Sequence, residues 1–283
     1  MKGNFLKNII TLFFINSLIS FSQEEGRYKL PSQLNEISGI EIINDTIFVA
    51  INDSGNEPIL FLLNKEAKIL KTVKINGAEN NDWEDLAADE EHIYIGDFGN
   101  NLNKRKELII YKVKIKEVLL KNEIESERIF FRYLEQKNFP PHKQNLNFDS
   151  EAFFYDKDSL TLFTKCNTYP WTGISFIYRI PKEPGTYFLK KRDELYVGPG
   201  GYFSDAITAA DKQGEYIYLT TYNRILILKK EESRHNIYRT IDFNEMTQKE
   251  SIVVLNTSHL FFADEKHLIF GGGFLTKYNI SND

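Results

Sequence analysis

Five acidic residues open five similar stretches of this chain. They are Glu36 in "NEISGI", Glu84 in "DWEDLA", Glu151 in "DSEAFF", Asp205 in "SDAITAAD" and Glu250 in "KESIVV". After each acid come an apolar run, a turn, a second apolar run and a cluster of polar groups. Those clusters hold Asn52 and Asp53, then Asp97 with Asn100 and Asn101, then Thr164 and Lys165, then Thr221 and Tyr222, then Asp264 and Glu265. If they converge, the donor set is carboxylate and amide oxygen with no Cys, and no His at the recurrent positions. Such a set suits a hard cation, Ca²⁺ rather than Zn²⁺. Like charges held together must stay solvated, take up protons, pair with Lys165 or bind a cation. Equally, each acid could cap a turn or accept neighbouring backbone N–H groups.

The elements around the acids say how they could converge. Each unit continues with further strand-like runs, such as "ILFLLN" and "ILKTVKI" after the first and "RILILKK" and "NIYRTIDF" after the fourth. Breakers such as "NKEAK", "ADEEH" and "DKQGE" separate them. Four short strands per unit, repeated at roughly 45–65 residues, mark an all-β β-propeller. The repeats count five antiparallel blades, with six possible. A β-sandwich is the other arrangement, but it leaves five acid-led repeats unexplained. "RYKLP" near the N-terminus is placed to pair with the C-terminal "HLIFGGGFLTKYNI" and close the last blade. Residues 114–127 are the best helical candidate, and a charged loop accounts for them equally well.

In a propeller, equivalent blade positions meet at the axis. Glu36, Glu84, Glu151, Asp205 and Glu250 are therefore expected to ring one mouth of the channel. With Asp97 they form the expected metal set. Asn52, Asp53, Asn100, Asn101, Trp171 and Tyr222 are the expected ligand contacts.

Composition agrees with one large β domain over residues 23–283. Of the 283 residues, 42% are hydrophobic, with 22 Phe and 15 Tyr, which favours sheet. Residues 1–22 read as a secretory signal peptide: Lys2 and Lys7, then "IITLFFINSLISF", then "SFS". An N-terminal anchor is the alternative, though the apolar run is short and interrupted by Asn16. Cleavage would leave the remainder two charges more acidic than the −5 of the whole chain. That balance argues against nucleic acid and anionic membranes as partners. Cys166 stands alone, so no intrachain disulfide can form. An exported location follows: periplasmic, cell-surface or secreted.

"NEISGI…INDSGN", "DWEDLA…YIGDFGNN", "DSEAFFYD…FTK", "AITAAD…LTTY" and "KESI" resemble a group of bacterial secreted β-propeller proteins, over nearly the whole chain after residue 22. More distantly, the acid-ringed mouth is similar to the propellers of regucalcin, gluconolactonase and paraoxonase. Those are calcium-dependent hydrolases of lactones and esters; esterase-like phytase domains are similar in style. The resemblance implies a propeller, calcium and hydrolysis. Those hydrolases have six blades where five repeats are counted here, and their acidic and Asn motifs do not align cleanly with these.

Other chemistry is thinner. No G-x-S-x-G is present. His142, in the insertion "NFPPHKQNLNFDSE", could hang over the mouth and act as a base. Trp171 and Tyr169 in "NTYPWTGIS" could stack on a sugar ring or grip a peptide; Trp171 could equally pack between blades. Trp83 reads as a packing residue. "VGPGGYF" and "FGGGF" lack the strand-to-helix context of a phosphate loop. The expectation is a protein that binds a small polar molecule, peptide or glycan at an acid-lined mouth, through calcium. The alternative is a calcium-dependent hydrolase of an ester, lactone or phosphoester. There Glu151, Lys165 and His142 would carry the catalysis.

Overall fold

A computed structural model describes residues 24–44, 46–231 and 234–281. The expected signal peptide, residues 1–22, lies outside the described residues. Strand β1 (Glu24–Lys29) comes first. Blade one follows as β2 (Ile37–Ile43), β3 (Ile47–Asn52), β4 (Ile59–Leu63) and β5 (Ile69–Asn76). Blade two opens with β6 (Trp83–Ala88), β7 (His92–Asp97) and β8 (Leu108–Lys114). Helix α1 (Ile115–Leu120), β9 (Glu123–Glu125) and β10 (Glu127–Tyr133) come next. Blade three holds β11 (Asp149–Asp156), β12 (Ser159–Lys165) and β13 (Ile174–Pro181), then β14 (Gly185–Leu189) and β15 (Asp193–Tyr196). Short helix α2 (Tyr202–Asp205) leads into blade four: β16 (Ala209–Gln213), β17 (Tyr216–Thr220), β18 (Arg224–Glu231) and β19 (Arg234–Asp242). Blade five is β20 (Lys249–Val254), β21 (His259–Asp264) and β22 (Phe274–Asn279).

The sheets confirm a five-bladed β-propeller. Four antiparallel strands make each blade, and β1 pairs with β22 to complete the fifth. The N- and C-terminal strands thus close the ring as the sequence indicates. Two strands were not foreseen. β9 adds in parallel to β5, and β14 adds in parallel to β10. Each belongs in sequence to the following blade, so it ties one blade's outer edge to the next and covers an edge that would otherwise be open. The helical candidate resolves into the six residues of α1 followed by strand.

Among the described residues the core is five clusters rather than one. One lies at each blade interface; Trp83, Ile95 and Tyr111 of blade two meet Val49, Ile51 and Leu62 of blade one. Phe153 and Leu162 of blade three pack on Tyr94 and Phe131 of blade two. The last interface, between blades five and one, brings Phe261 against Phe48 at 4.9 Å. Apolar residues on both faces of the inner strands, such as β3, β7, β12 and β21, explain this, since each blade buries both faces against neighbours.

The innermost strands have no partner on the axis side, so some of their N–H groups need acceptors. Carboxylates supply them. Asp85 accepts from Phe153 N at 3.0 Å and Ala210 N at 3.3 Å, joining blade two to blades three and four. Asp211 accepts from Val254 N at 2.6 Å, joining blade four to blade five. Gly39 is held to glycine because a Cβ there would stand 2.9 Å from Asp85 Cα.

Candidate functional site

Strand register decides which acids reach the axis. In blades one, two, three and five the pairing of the innermost strand with the next slips by one residue. The slips fall at Ile37/Gly39, Trp83/Asp85, Ser150/Ala152 and Lys249/Ser251. A bulge leaves one residue outside the ladder and re-aims its side chain. Those residues are Ser38, Glu84, Glu151 and Glu250; Thr208, before the first pair of β16, takes the place in blade four. Where the residue is a hydroxyl it latches the next blade: Ser38 Oγ donates to Trp83 O at 2.7 Å and Thr208 Oγ1 to Lys249 O at 2.5 Å. Where it is Glu, it enters a cavity of about 190 Å³ at the channel mouth, shared with Asp53, Glu265, Lys165, Tyr202 and Tyr222.

This mouth crowds negative charge around one ammonium. Lys165 Nζ lies 3.0 Å from Glu151 Oε2 and 3.3 Å from the Tyr222 hydroxyl, with both ion-pair partners buried. Burial pulls the lysine down, but Glu151, Tyr222 and Glu250 outweigh it, and the ammonium is held well above its usual range. Burial, with Glu151 as neighbour, pushes Glu84 and Asp149 well up. Burial likewise raises Glu250 to about 8, and Asp82 and Glu265 to about 7. Each shift marks a carboxylate that lacks enough positive charge.

Among the described residues, two groups of carboxylates could hold a metal ion. Asp53, Asp82 and Glu84 form one; Glu84, Asp149 and Glu151 form the other, fully buried. In each, one oxygen per residue lies within 4.8 Å of the others. Asp149 Oδ1 accepts Asn100 N at 2.5 Å, whereas Asp149 Oδ2 is buried with no hydrogen-bond partner. A buried oxygen without a donor is costly unless a proton or cation meets it. Gly99 leaves room for the group: a Cβ there would stand 2.0 Å from Glu84 Oε1.

The other expected site residues are placed differently. Glu36 is exposed, lines no part of the cavity and accepts Asn56 Nδ2 at 2.6 Å. It occupies the register of Asp82, two residues before the bulge, because Ile37 pairs with Asn52 as Trp83 pairs with Asp97. Asp205 ends α2, outside the ladder, and is bound by Arg224 and by Gly200 N at 2.5 Å. Asp97 is buried against Arg105 at 2.8 Å. The five-acid ring is therefore corrected to Glu84, Glu151 and Glu250 with two hydroxyls.

Among the ligand candidates, Asp53, Asn101 and Tyr222 line the mouth. Asn52 donates to Gln33 O, and Asn100 bonds Phe148 O and Arg105 N. Trp171 Nε1 donates to Gly198 O at 2.9 Å, away from the mouth wall. His142 is exposed in the insertion and lines no part of the mouth. Trp83 is fully buried, as read from the sequence.

Sequence reasoning left Asp82, Asp149, Tyr202, Gln248 and Glu265 out of its site set. The signal was the spacing itself: Asp82-x-Glu84, Asp149-x-Glu151 and Gln248-x-Glu250 share one polar-x-Glu pattern. Beside the mouth, sharing Tyr202, Tyr222 and Gln248, a second hollow of about 160 Å³ is lined by Phe203, Met246 and Phe270. Leu268 and Ile269 project fully into solvent nearby in sequence.

Fold and mouth together define a five-bladed β-propeller with an acid-lined channel entrance. No protein-family model and no curated protein matches the chain. Among solved structures it is similar to the glutaminyl cyclase of Myxococcus xanthus, at 12% identity and a TM-score of 0.54, over 91% of this chain and 97% of that one. It also matches the virginiamycin B lyase of Staphylococcus aureus, at 11% identity and a TM-score of 0.43, over 89% and 69%. The first likeness is one of fold alone, and the second is looser still.

Proposed function

We propose that the protein binds calcium at Glu84, Asp149 and Glu151 and uses the occupied mouth to hold a small polar ligand with an apolar portion. The observation that carries this reading is Asp149 Oδ2, buried without a donor inside a group of three carboxylates. Oxygen-only donors, with no His or Cys lining the mouth among the described residues, favour calcium over zinc. The apolar hollow beside the mouth supports a ligand that is not polar throughout. The N-terminal "KNIITLFFINSLISFS" supports export, to a setting where sites of about 10⁻⁴–10⁻³ M affinity fill with calcium. Thermal unfolding in calcium and in EDTA tests it. Calcium should raise the Tm of wild type and leave Asp149→Asn unmoved; an unchanged wild-type Tm would overturn the reading.

A second reading is hydrolysis of an ester, lactone or phosphoester, and the buried Glu151–Lys165 pair facing the cavity favours it. Bound calcium would polarise the scissile oxygen. Lys165 would steady developing negative charge, and Glu151 would take up a proton. EDTA-sensitive turnover of aryl esters or phosphoesters, lost in Lys165→Met, would support it. Its absence would leave binding as the function.

A further inference from the structure

The insertion and the Trp-bearing turn that the sequence associates with the mouth meet each other instead. Asn167 N donates to Leu146 O at 2.9 Å, and Tyr169 N donates to Lys143 O at 2.9 Å. Asn147 Nδ2 reaches Ile174 O at 2.6 Å. Between the two segments is a cavity of about 480 Å³, which shares no lining residue with the mouth. That volume falls within the ~300–1,000 Å³ of small-molecule sites.

Its wall is rich in neutral hydrogen-bonding groups. Asn138, Gln144 and Asn145 contribute side-chain amides that bond no other described residue, and Thr168 and Thr172 contribute hydroxyls. Phe148 and Phe176 give an aromatic side. Little charge is free to attract an ion of either sign. Lys191 Nζ pairs with Glu194 at 2.9 Å while lying 4.1 Å over Phe176, and the Glu135 carboxylate accepts Lys191 N at 3.0 Å. Lys137, exposed, is the lining charge with no partner among the described residues.

The chemistry selects a class of ligand. A purely apolar ligand would strip water from three amides and return no hydrogen bonds, at about 1–3 kcal/mol each. An anion would find one unmatched ammonium at the rim. Each primary amide offers both a carbonyl acceptor and two N–H donors. Vicinal hydroxyls of a sugar present donors and acceptors in the same alternation, and the C–H face of a pyranose packs on an aromatic ring. We propose that this cavity is a carbohydrate site, taking a neutral sugar unit of a glycan, separate from the channel mouth.

The test is an array of neutral glycans probed with the full chain, followed by calorimetry on any glycan retained. The three amides are exposed, so Asn138→Ala/Gln144→Ala/Asn145→Ala should fold. Wild type should bind, and the triple variant should bind at least tenfold more weakly. Phe176→Leu should also weaken binding. EDTA and Asp149→Asn should leave binding unchanged, which separates this site from the calcium reading. No retention of any neutral glycan by wild type would overturn the proposal. So would equal binding by the triple variant, or loss of binding in Asp149→Asn.

Discussion

Lys165 Nζ stands 3.0 Å from Glu151 Oε2, and the two side chains are 4% and 3% exposed. It is the one ammonium lining the mouth among the described residues. Removing it would strand a buried carboxylate beside Glu84, Asp149 and Glu250. Breaking a buried pair from one side typically costs about 3–5 kcal/mol. Lys165→Met is therefore expected to lose about that much in urea unfolding with EDTA present. Calcium should restore part of it, because a divalent cation replaces the missing charge. Equal losses with and without calcium would separate the lysine from the metal group.

Gly99 gives a sharper steric test. A Cβ there would meet Glu84 Oε1 at 2.0 Å and Asp82 Oδ2 at 2.5 Å. Its φ is not in the left-handed region, so space is the only constraint. Gly99→Ala should push the Glu84 carboxylate away from Asp149 and Glu151. Calcium affinity should fall by tenfold or more, while unfolding without calcium loses only the cost of overpacking, about 1–3 kcal/mol. Terbium luminescence, sensitised by Tyr202 and Tyr222, would read the affinity.

The far end of the channel sets a pH dependence. Glu41 and Asp211 face a cavity of about 550 Å³ there, with Lys65 and Lys212 on its wall. Burial, then Asp211, raises Glu41 well above its usual range; burial raises Asp211 to about 7. A carboxyl raised by folding binds its proton more tightly in the native state than in the unfolded chain. Its contribution is present below the unfolded pKa near 4 and is lost as pH rises through about 7. The mouth acids shift in the same direction, so the measurement is made at saturating calcium. Tm should fall from pH 5 to pH 8, and Asp211→Asn should flatten that fall. An Asp211→Asn profile parallel to wild type would contradict the assignment.

Much of the fold was legible because strand period, turn residues and repeat spacing all pointed one way. The outer strands β9 and β14 were not, because "EIE" and "GTYFL" are short and pair in parallel with residues of the previous blade. The site was half legible. Glu84, Glu151 and Glu250 came from the repeat, but Glu36 and Asp205 were aligned with them by acid type alone. A bulge is a one-residue event in hydrogen bonding, and nothing in residue type marks it. Glu36 stands two residues before its bulge, in the register that Asp82 and Asp149 hold, but its side chain turns to Asn56 instead of the mouth. Asp149 was visible as the start of "DSE", but its unpartnered oxygen emerges only from which N–H groups surround it.

Ring closure yields the last prediction. β1 is the outer strand of blade five, paired with β22 from Lys29–Phe274 to Glu24–Tyr278. Leu30 beyond it is buried in the interface with blade one, and Arg27 bonds Glu245 at 2.7 Å and lies 4.2 Å over Phe274. Burying one Leu contributes about 1.5–3 kcal/mol, and the partly exposed ion pair about 0–1 kcal/mol. Deleting residues 24–30 should therefore cost about 1.5–4 kcal/mol in urea unfolding. It should also bare the edge of β22, whose free ladder would recruit another chain. Size-exclusion chromatography should show concentration-dependent association of the truncated protein. A truncated protein that stays monomeric with wild-type stability would show that β1 does not close the ring in solution.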